Sequence, residues 1–246
     1  MYKLESRPYS IEDGVIIFKD KNFCERTLPQ IGQGSKSDVY KFRVDGKFYA
    51  LKIFNSLYSA DIENFKRKMK IDIPSYVQPL MLSYFRDTFN GYLMLLCNGK
   101  DLEKRKLDIT LEEFYRSFLT LSSDTDKLTE SGYTIYDAFI SNIMYDSGFK
   151  MIDIDDYPFG EQDREKLNKI RLNRSLLDIF LKTTRLGLLF VDVVELTKLK
   201  SLCESGSITF QEFYEIILSK ILSDVDPNVT KLPELGKVLS KKYRNY

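Results

Sequence analysis

The pattern of apolar residues changes once along this 246-residue chain, near Asn98-Gly99. Before that point, short runs of β-branched and aromatic residues alternate with turn signals, which is typical of strands. After it, apolar residues recur every three or four positions, which is typical of amphipathic helices. This order predicts an α+β chain with a small β-rich lobe over residues 1–97 and a larger helical lobe over residues 98–246.

The first lobe is expected to contain an antiparallel sheet of about five strands and one helix. Asp45-Gly46 separates two strand patterns by two residues, and this pair favours a type I′ hairpin turn. In the predicted helix, Ile62, Phe65 and Met69 share one face. The strands are predicted over residues 14–18, 38–44, 47–54, 77–85 and 91–97, and the helix over residues 59–70.

Two capping boxes mark helix starts in the second lobe: Thr110 with Glu113, and Thr209 with Glu212. Between them, a pair of short strands is expected within residues 133–153. The helices after these strands are predicted over residues 161–172, 174–204 and 209–223.

The composition is that of an ordinary globular protein, with 43% hydrophobic and 30% charged residues and a net charge of +1. A net charge this close to zero gives no electrostatic indication that the chain binds nucleic acid or an anionic membrane. Cys24, Cys97 and Cys203 are far apart in the sequence, which favours reduced thiols and a cytoplasmic location. The first residues lack the apolar core of a secretory signal. The apolar runs at 92–97 and 187–196 are too short or too charged to span a bilayer.

Histidine is absent from the chain. Ser-His-Asp catalysis, Cys-His catalysis and zinc sites that use histidine are therefore excluded. Any chemistry must rest on carboxylates, lysines and backbone amides.

The stretch TIYDAFISNIMYDSGFKMIDIDDY, residues 134–157, places five acidic residues among apolar ones. Carboxylates in apolar surroundings are unfavourable unless they are paired or bind a cation. Two interpretations follow: a hairpin with acidic turns, or a cation site. An EF-hand starting at Asp153 would place Pro158 where glycine is required and Arg164 where glutamate is required. A D-x-D motif of sugar-nucleotide transferases at 153–155 lacks the α/β nucleotide-binding half.

The segment IGQGSKSDVY, residues 31–40, precedes a strand that carries Lys52. The spacing of a Walker motif is absent, and a Rossmann fingerprint would require a helix next, where a strand is predicted. A hairpin whose glycines allow backbone N–H groups to approach phosphates fits the pattern. An exposed strand lysine is the alternative interpretation of Lys52.

The pattern G-x-G-x-x-S-x-V at Gly32, Gly34, Ser37 and Val39, followed by Ala-Leu-Lys ending at Lys52, resembles the N-lobe of the protein-kinase-like fold. The resemblance implies that the glycine hairpin covers ATP and that Lys52 positions its α- and β-phosphates. An acidic partner for Lys52 is implied on the following helix, and Glu63 or Asp61 could supply it.

The segment YLMLLCNGKDL, residues 92–102, resembles the strand and hinge that follow in this family. Met94 would stand at the back of the adenine pocket. The Leu95 carbonyl and the Cys97 amide would hydrogen-bond the adenine. The resemblance implies an apolar enclosure for the base from Ile31, Val39, Ala50, Leu96, Met144 and Ile152.

The acidic stretch continues the resemblance. Asp137 and Asn142 have the spacing of the catalytic Asp and Asn of kinases, and Asp153 follows after a short hairpin. Asp137 would accept the proton of the attacking hydroxyl. Asn142 and Asp153 would supply the oxygen ligands that Mg²⁺ prefers.

The chain departs from the family pattern at three points. Ile135-Tyr136 replaces the His-Arg that precedes the catalytic Asp, Asp153-Ile154-Asp155 replaces Asp-Phe-Gly, and no Ala-Pro-Glu follows. The resemblance spans residues 31–157 and is closest to compact, atypical kinase-like proteins of bacterial or viral type. It implies a bilobal fold and an ATP- and Mg²⁺-dependent phosphotransferase acting on a hydroxyl of a protein or small molecule. A pseudokinase, a nucleotide-responsive binding module, is the alternative.

Overall fold

The computed structural model describes residues 8–55, 61–102, 107–187, 193–222 and 229–244. The chain divides into two compact units. The first consists of Met1–Asp72 and Val77–Cys97, and the second of Ile73–Tyr76 and Asn98–Tyr246. The predicted α+β class is confirmed, because a large sheet and several helices are both present.

A seven-stranded sheet forms the first unit, in the order β1-β2-β6-β7-β5-β4-β3. A one-turn helix α1, Phe23–Thr27, precedes β3, and helix α2, Ile62–Lys68, follows β5. The predicted start of this second helix, before residue 61, lies outside the described residues. The strands are β1 Tyr9–Glu12, β2 Val15–Phe18, β3 Gln30–Gln33, β4 Ser37–Val44, β5 Lys47–Phe54, β6 Pro79–Phe85 and β7 Thr88–Leu95.

The observed sheet is mostly antiparallel, and it departs from the expected antiparallel sheet of about five strands in two respects. The sheet has seven strands, and β2 pairs with β6 in parallel. Parallel neighbours require a long connection, and the chain provides one because α1, β3, β4, β5 and α2 all lie between β2 and β6. The additional strand β1 forms a hairpin with β2.

The type I′ turn predicted at Asp45-Gly46 is confirmed. Both residues have positive φ, 47° and 81°, as this turn type requires. Asp13 and Gly14 form a second turn of the same kind, with φ of 48° and 75°, between β1 and β2. Both turns use a short polar residue that tolerates the left-handed region, followed by glycine.

Strand β5 separates two apolar layers. Leu51 is fully buried in a core on one face of the sheet, with Phe18, Phe42 and Leu93. Successive side chains of a strand point to opposite faces, so Lys52 lies on the other face. That second face also carries Phe54, whose ring lies 5.7 Å from the ring of Phe65 in α2.

Gly91 in β7 is required by close approach of the neighbouring strand. A Cβ at this position would lie 1.9 Å from the carbonyl oxygen of Lys52. We expect Gly91→Ala to lower the free energy of unfolding by roughly 1–3 kcal/mol, because strand β5 would have to move. Urea denaturation measures the change. Gly34→Ala is the control, since a Cβ there would meet its nearest atom, the Ser37 carbonyl oxygen, at 3.5 Å. Equal losses in both variants would contradict the account of Gly91.

The second unit contains a small antiparallel sheet in the order β10-β9-β8. A short 3₁₀ helix, Ile140–Asn142, leads into β9. The strands are β8 Lys100–Asp101, β9 Ile143–Tyr145 and β10 Phe149–Met151, and the helices are α3 Leu111–Glu130, α4 Arg164–Thr184, α5 Val194–Glu204, α6 Phe210–Leu222 and α7 Leu232–Arg244.

Both predicted capping boxes are confirmed. The Glu113 N–H donates to Thr110 Oγ1 at 3.0 Å, and the Thr110 N–H donates to Glu113 Oε2 at 2.8 Å. Thr209 and Glu212 make the same reciprocal pair at 3.1 and 2.6 Å. These contacts satisfy N–H groups that a helix start leaves unpaired.

The predicted break between two helices at residue 173 is wrong, whereas the predicted helix end at residue 204 is confirmed. Helix α4 continues through Asn173, whose side chain is buried and hydrogen-bonded. Asn173 Nδ2 donates to the Cys203 and Ile208 carbonyls at 3.0 and 2.8 Å. Asn173 Oδ1 accepts the Phe210 N–H at 3.0 Å. The helix ends at Thr184, and its C-cap residue, Arg185, has a left-handed φ of 60°. Part of the predicted helix over 174–204, residues 188–192, lies outside the described ranges.

Across the ranges that the model describes, no helix is both long enough and apolar enough to cross a membrane.

Candidate functional site

In the first unit, four of the residues predicted to contact a nucleotide share one face of the sheet. Val39 lies opposite Lys52 in the β4–β5 ladder, and Ala50 lies opposite Met94 in the β5–β7 ladder. Directly opposite residues point to the same side of a sheet, as do residues two apart in a strand. Ala50, Lys52 and Met94 are all buried, and Lys52 is only 5% exposed. The sequence therefore places a buried lysine among apolar neighbours.

The glycine hairpin between β3 and β4 is closed by backbone contacts. The Gly34 N–H donates to the Ser37 carbonyl at 2.8 Å, and Asn55 Nδ2 donates to the Ser35 carbonyl at 2.7 Å. Ser37 is buried, whereas Gly34 is exposed. Neither Gly32 nor Gly34 has a positive φ. The backbone conformation of the hairpin therefore does not itself require glycine at these two positions.

Both acidic residues considered as partners of Lys52 have other contacts. The Glu63 carboxylate lies 2.7 Å from Lys66 Nζ, and its side chain is 69% exposed. The Asp61 side chain accepts the Asn64 N–H and caps α2. The buried face of α2 instead carries Phe65 and Lys68. The register of α2 turns Glu63 to the surface, and its partnership with Lys52 stays a prediction.

The remaining predicted nucleotide-binding residues are distributed over both units. Ile31 in β3 and Leu95 at the end of β7 are 47% and 58% exposed, and Cys97 just beyond β7 is partly buried. In the second unit, Met144 lies opposite Lys150 in the β9–β10 ladder. Ile152 follows β10 and donates its N–H to the Asn142 carbonyl at 2.9 Å.

Asn142 joins the two acidic segments of the second unit. Its Nδ2 donates to the Asp137 carbonyl at 2.8 Å, while its own carbonyl accepts the Ile152 N–H at 2.9 Å. Ile152 immediately precedes Asp153. The loop that carries Asp137 and the segment that carries Asp153 are thus tied to a single residue, as a shared site requires.

Asp137 and Asp153 are held in the left-handed region, with φ of 50° and 61°. Both side chains are exposed. Non-glycine residues adopt this region rarely, and at functional sites the strain often accompanies a positioned side chain. Neither residue lies in a hairpin turn or at a helix end. The other non-glycine residues with positive φ in the described ranges do: Asp13, Asp45, Arg86, Ser147 and Arg185.

One face of helix α4 supports the loop before and after Asp137. Asn168 Oδ1 accepts the Ile135 N–H at 2.6 Å, and its Nδ2 donates to the Tyr133 carbonyl at 2.9 Å. Arg171 donates to the Ile135 carbonyl, and the Ser175 hydroxyl donates to the Ala138 carbonyl. Sequence reasoning missed these three residues. Their spacing by three and four was the available signal, because it places polar groups on one helix face.

Tyr157, which sequence reasoning also missed, is a buried tyrosine whose pKa is affected by charges on this loop. Its side chain is 2% exposed, and burial raises the pKa of its phenol well above the usual value. The charges of Asp153 and Asp137 raise the pKa of Tyr157 further, and the charge of Arg171 opposes them.

The oxygen atoms at this position suit a hard cation. The Asn142 amide nitrogen donates to the Asp137 carbonyl, so the Asn142 side-chain oxygen is the atom that this residue could offer to a metal. The Asp153 carboxylate could offer a second oxygen. No cluster of three or more His, Cys, Asp or Glu side chains with metal-binding geometry occurs in the described parts of the chain. A cation held here would need further oxygens from a ligand, which is how Mg²⁺ is bound with nucleotides.

Comparison of the chain with protein-family models finds no match, and comparison with curated proteins finds none either.

Proposed function

We propose that this chain is an ATP- and Mg²⁺-dependent phosphotransferase that moves the γ-phosphate of ATP to an acceptor hydroxyl. The observation that carries the proposal is the pair of strained, exposed aspartates, Asp137 and Asp153, tied together through Asn142. Phosphoryl transfer needs little covalent chemistry from a protein, and is served by a positioned proton acceptor and by neutralised charge. The assignment of the α+β architecture to the protein-kinase-like fold is part of the same proposal.

Asp137 is the residue that faces the acceptor in this proposal. Its carboxylate is exposed and its backbone is fixed, because its carbonyl accepts the Phe139 N–H at 2.7 Å and Asn142 Nδ2 at 2.8 Å. A carboxylate held in this way can orient a hydroxyl and accept its proton as the new bond to phosphorus forms.

Asn142 and Asp153 would hold Mg²⁺ that arrives with ATP. When bound there, Mg²⁺ would supply positive charge that offsets the charge of the phosphates during transfer. Asn142 has a second task, since its two hydrogen bonds fix the loop of Asp137 relative to the segment before Asp153.

In the first unit, Lys52 would bind the α- and β-phosphates, and Val39, Ala50 and Met94 would contact the base. Lysine is a common phosphate-binding residue, because its ammonium is a compact positive charge with three hydrogen-bond donors. The hairpin at Gly32 and Gly34 would contribute backbone N–H groups.

A nucleotide-responsive binding module, or pseudokinase, is the second candidate. The observation that favours it is the pairing of Glu63 with Lys66 at the surface of α2. In active protein kinases a glutamate of the corresponding helix contacts the phosphate-binding lysine, whereas Glu63 contacts Lys66. In this candidate, Lys52 and Asp153 bind nucleotide and no phosphate is transferred.

Incubation of the purified chain with ATP labelled at the γ-phosphate, Mg²⁺ and fractions of cell lysate distinguishes the two candidates. The phosphotransferase proposal predicts that one acceptor gains label in a Mg²⁺-dependent manner, and that Asp137→Asn lowers the rate of labelling by roughly two to four orders of magnitude. Binding of ATP without labelling of any acceptor, and without hydrolysis, would favour the binding module.

Lys52→Ala tests the contribution of the first unit. At ATP concentrations about a hundredfold above the dissociation constant, Mg²⁺ and ATP should raise the melting temperature of the wild type by roughly 5–10 °C. We expect most of this shift to be lost in Lys52→Ala, because the phosphates lose their compensating charge. Lys47→Ala is the matched control, since Lys47 is an exposed lysine in the same strand. A full shift in Lys52→Ala would contradict the assignment.

A further inference from the structure

Arg171 makes two contacts with the residues that immediately precede Asp137. Its guanidinium donates to the Ile135 carbonyl, and it lies over the ring of Tyr136, with Cζ 5.4 Å from the ring centroid. Tyr136 is 46% exposed, so the guanidinium fixes a ring that would otherwise be mobile at the surface. Arg171 belongs to helix α4, 34 positions beyond Asp137 in the sequence.

Asp137 requires such support because its own backbone is strained. Its φ of 50° lies in the left-handed region, which costs on the order of 1–3 kcal/mol for a residue without a turn or cap to demand it. The contacts of Asn168 and Ser175 fix the loop at Ile135 and Ala138, on either side. Arg171 adds the contact that reaches Tyr136, the residue next to Asp137.

The chemistry of arginine suits this position better than that of lysine. The planar guanidinium can donate to a carbonyl with one nitrogen while its face packs on an aromatic ring. A lysine ammonium is a compact charge and would satisfy one of the two contacts at a time. The identity of the side chain, and not only its charge, therefore matters for the loop.

We propose that Arg171 is a positioning residue for Asp137: by fixing Ile135 and Tyr136 it holds the Asp137 carboxylate where the acceptor hydroxyl must lie. The inference rests on the proposed phosphotransferase activity. Arg171 touches neither ATP nor acceptor in this account, and acts only through the backbone and ring that precede Asp137.

The test compares Arg171→Met, Arg171→Lys and the control Arg174→Met in the full chain. Arg174 lies one turn along the same helix and donates to the Glu204 carbonyl at 3.2 Å, away from the Asp137 loop. Two measurements are made: steady-state kinetics, which gives kcat and the KM for ATP, and hydrogen exchange at the Phe139 amide, which donates to the Asp137 carbonyl at 2.7 Å. Hydrogen exchange reports local opening without any need for catalysis.

We expect Arg171→Met to lower kcat by about a hundredfold, since misplacement of a catalytic group by about 1 Å has this effect. The KM for ATP should change by less than about threefold, and the Phe139 amide should exchange roughly tenfold faster. Arg171→Lys should lie between Arg171→Met and the wild type, and Arg174→Met should match the wild type in both measurements.

Unchanged exchange at Phe139 in Arg171→Met would overturn the proposal, whatever happens to kcat. So would equal losses of kcat in Arg171→Met and Arg174→Met, because the effect would then belong to the helix as a whole. If the wild type transfers no phosphate, the proposed function fails. Faster exchange in Arg171→Met would then still support the hold of Arg171 on the loop.

Discussion

Asp137→Asn should lower the rate of phosphate transfer by roughly two to four orders of magnitude, the range expected when a positioned proton acceptor is lost. Asparagine keeps the size of the side chain and tolerates the left-handed φ of 50° at this position. The backbone contacts of the loop, from Phe139 and Asn142 to the Asp137 carbonyl, do not involve the substituted atoms. The loss would therefore be chemical and not structural.

Two controls accompany this measurement. The affinity for ATP and the melting temperature of Asp137→Asn should stay close to those of the wild type. Asp163→Asn serves as the matched substitution, because Asp163 is an exposed aspartate whose side chain makes no capping bond at the start of α4. Equal rates in the wild type and Asp137→Asn, with ATP bound to both, would show that Asp137 is not catalytic.

Asp153→Asn should lower the same rate by about a thousandfold, because a metal ion that neutralises phosphate charge contributes several kcal/mol to the transition state. Asparagine again tolerates the left-handed φ, here 61°. Unlike Asp137→Asn, this variant should also lose the dependence of ATP binding on Mg²⁺. Thermal shifts with ATP, measured with and without Mg²⁺, separate the two variants.

Asp156→Asn is the matched control for Asp153→Asn, since it removes one negative charge from the same acidic segment. Its thermal shift with ATP should still depend on Mg²⁺. A similar loss in both variants would indicate a general effect of charge and would contradict a specific role of Asp153.

Local features of this fold could be predicted from the sequence. The strand over residues 47–54, the turn at Asp45-Gly46 and the two capping boxes each depend on residues that lie within a few positions of one another. A short segment of sequence therefore contains all the residues that specify each of these features. The parallel pairing of β2 with β6 depends on segments more than sixty residues apart, Val15 with Leu82 for example, and no local signal encodes it.

The predicted break of helix α4 at Asn173 is wrong because the contacts that decide it are likewise made by residues far apart in the sequence. Asparagine is a weak helix former because its side chain competes for backbone groups. In this fold the competition is absent, since Cys203, Ile208 and Phe210 supply partners for the amide. Tertiary contacts between distant residues therefore decided the helix boundary.

For the candidate site, the sequence indicated the residues that would meet a ligand but not those that support them. Asp137, Asn142 and Asp153 could be identified because their spacing resembles that of the catalytic and metal-binding residues of kinases. Asn168 and Arg171 lie on a helix that begins after the acidic stretch, and their contacts with Ile135 exist only once the chain has folded. The surface position of Glu63 likewise follows from the register of α2, which a short helix does not reveal in its sequence.

A calorimetric titration of the full chain with ATP, in the presence and absence of Mg²⁺, tests the central claim most directly. The claim is that Asp153 and Asn142 bind the metal that arrives with ATP, and that Lys52 binds the phosphates of ATP. The account predicts saturable binding of ATP that is strengthened by Mg²⁺ and weakened by Asp153→Asn. No heat of binding at millimolar ATP, with either Mg²⁺ or Mn²⁺, would contradict it.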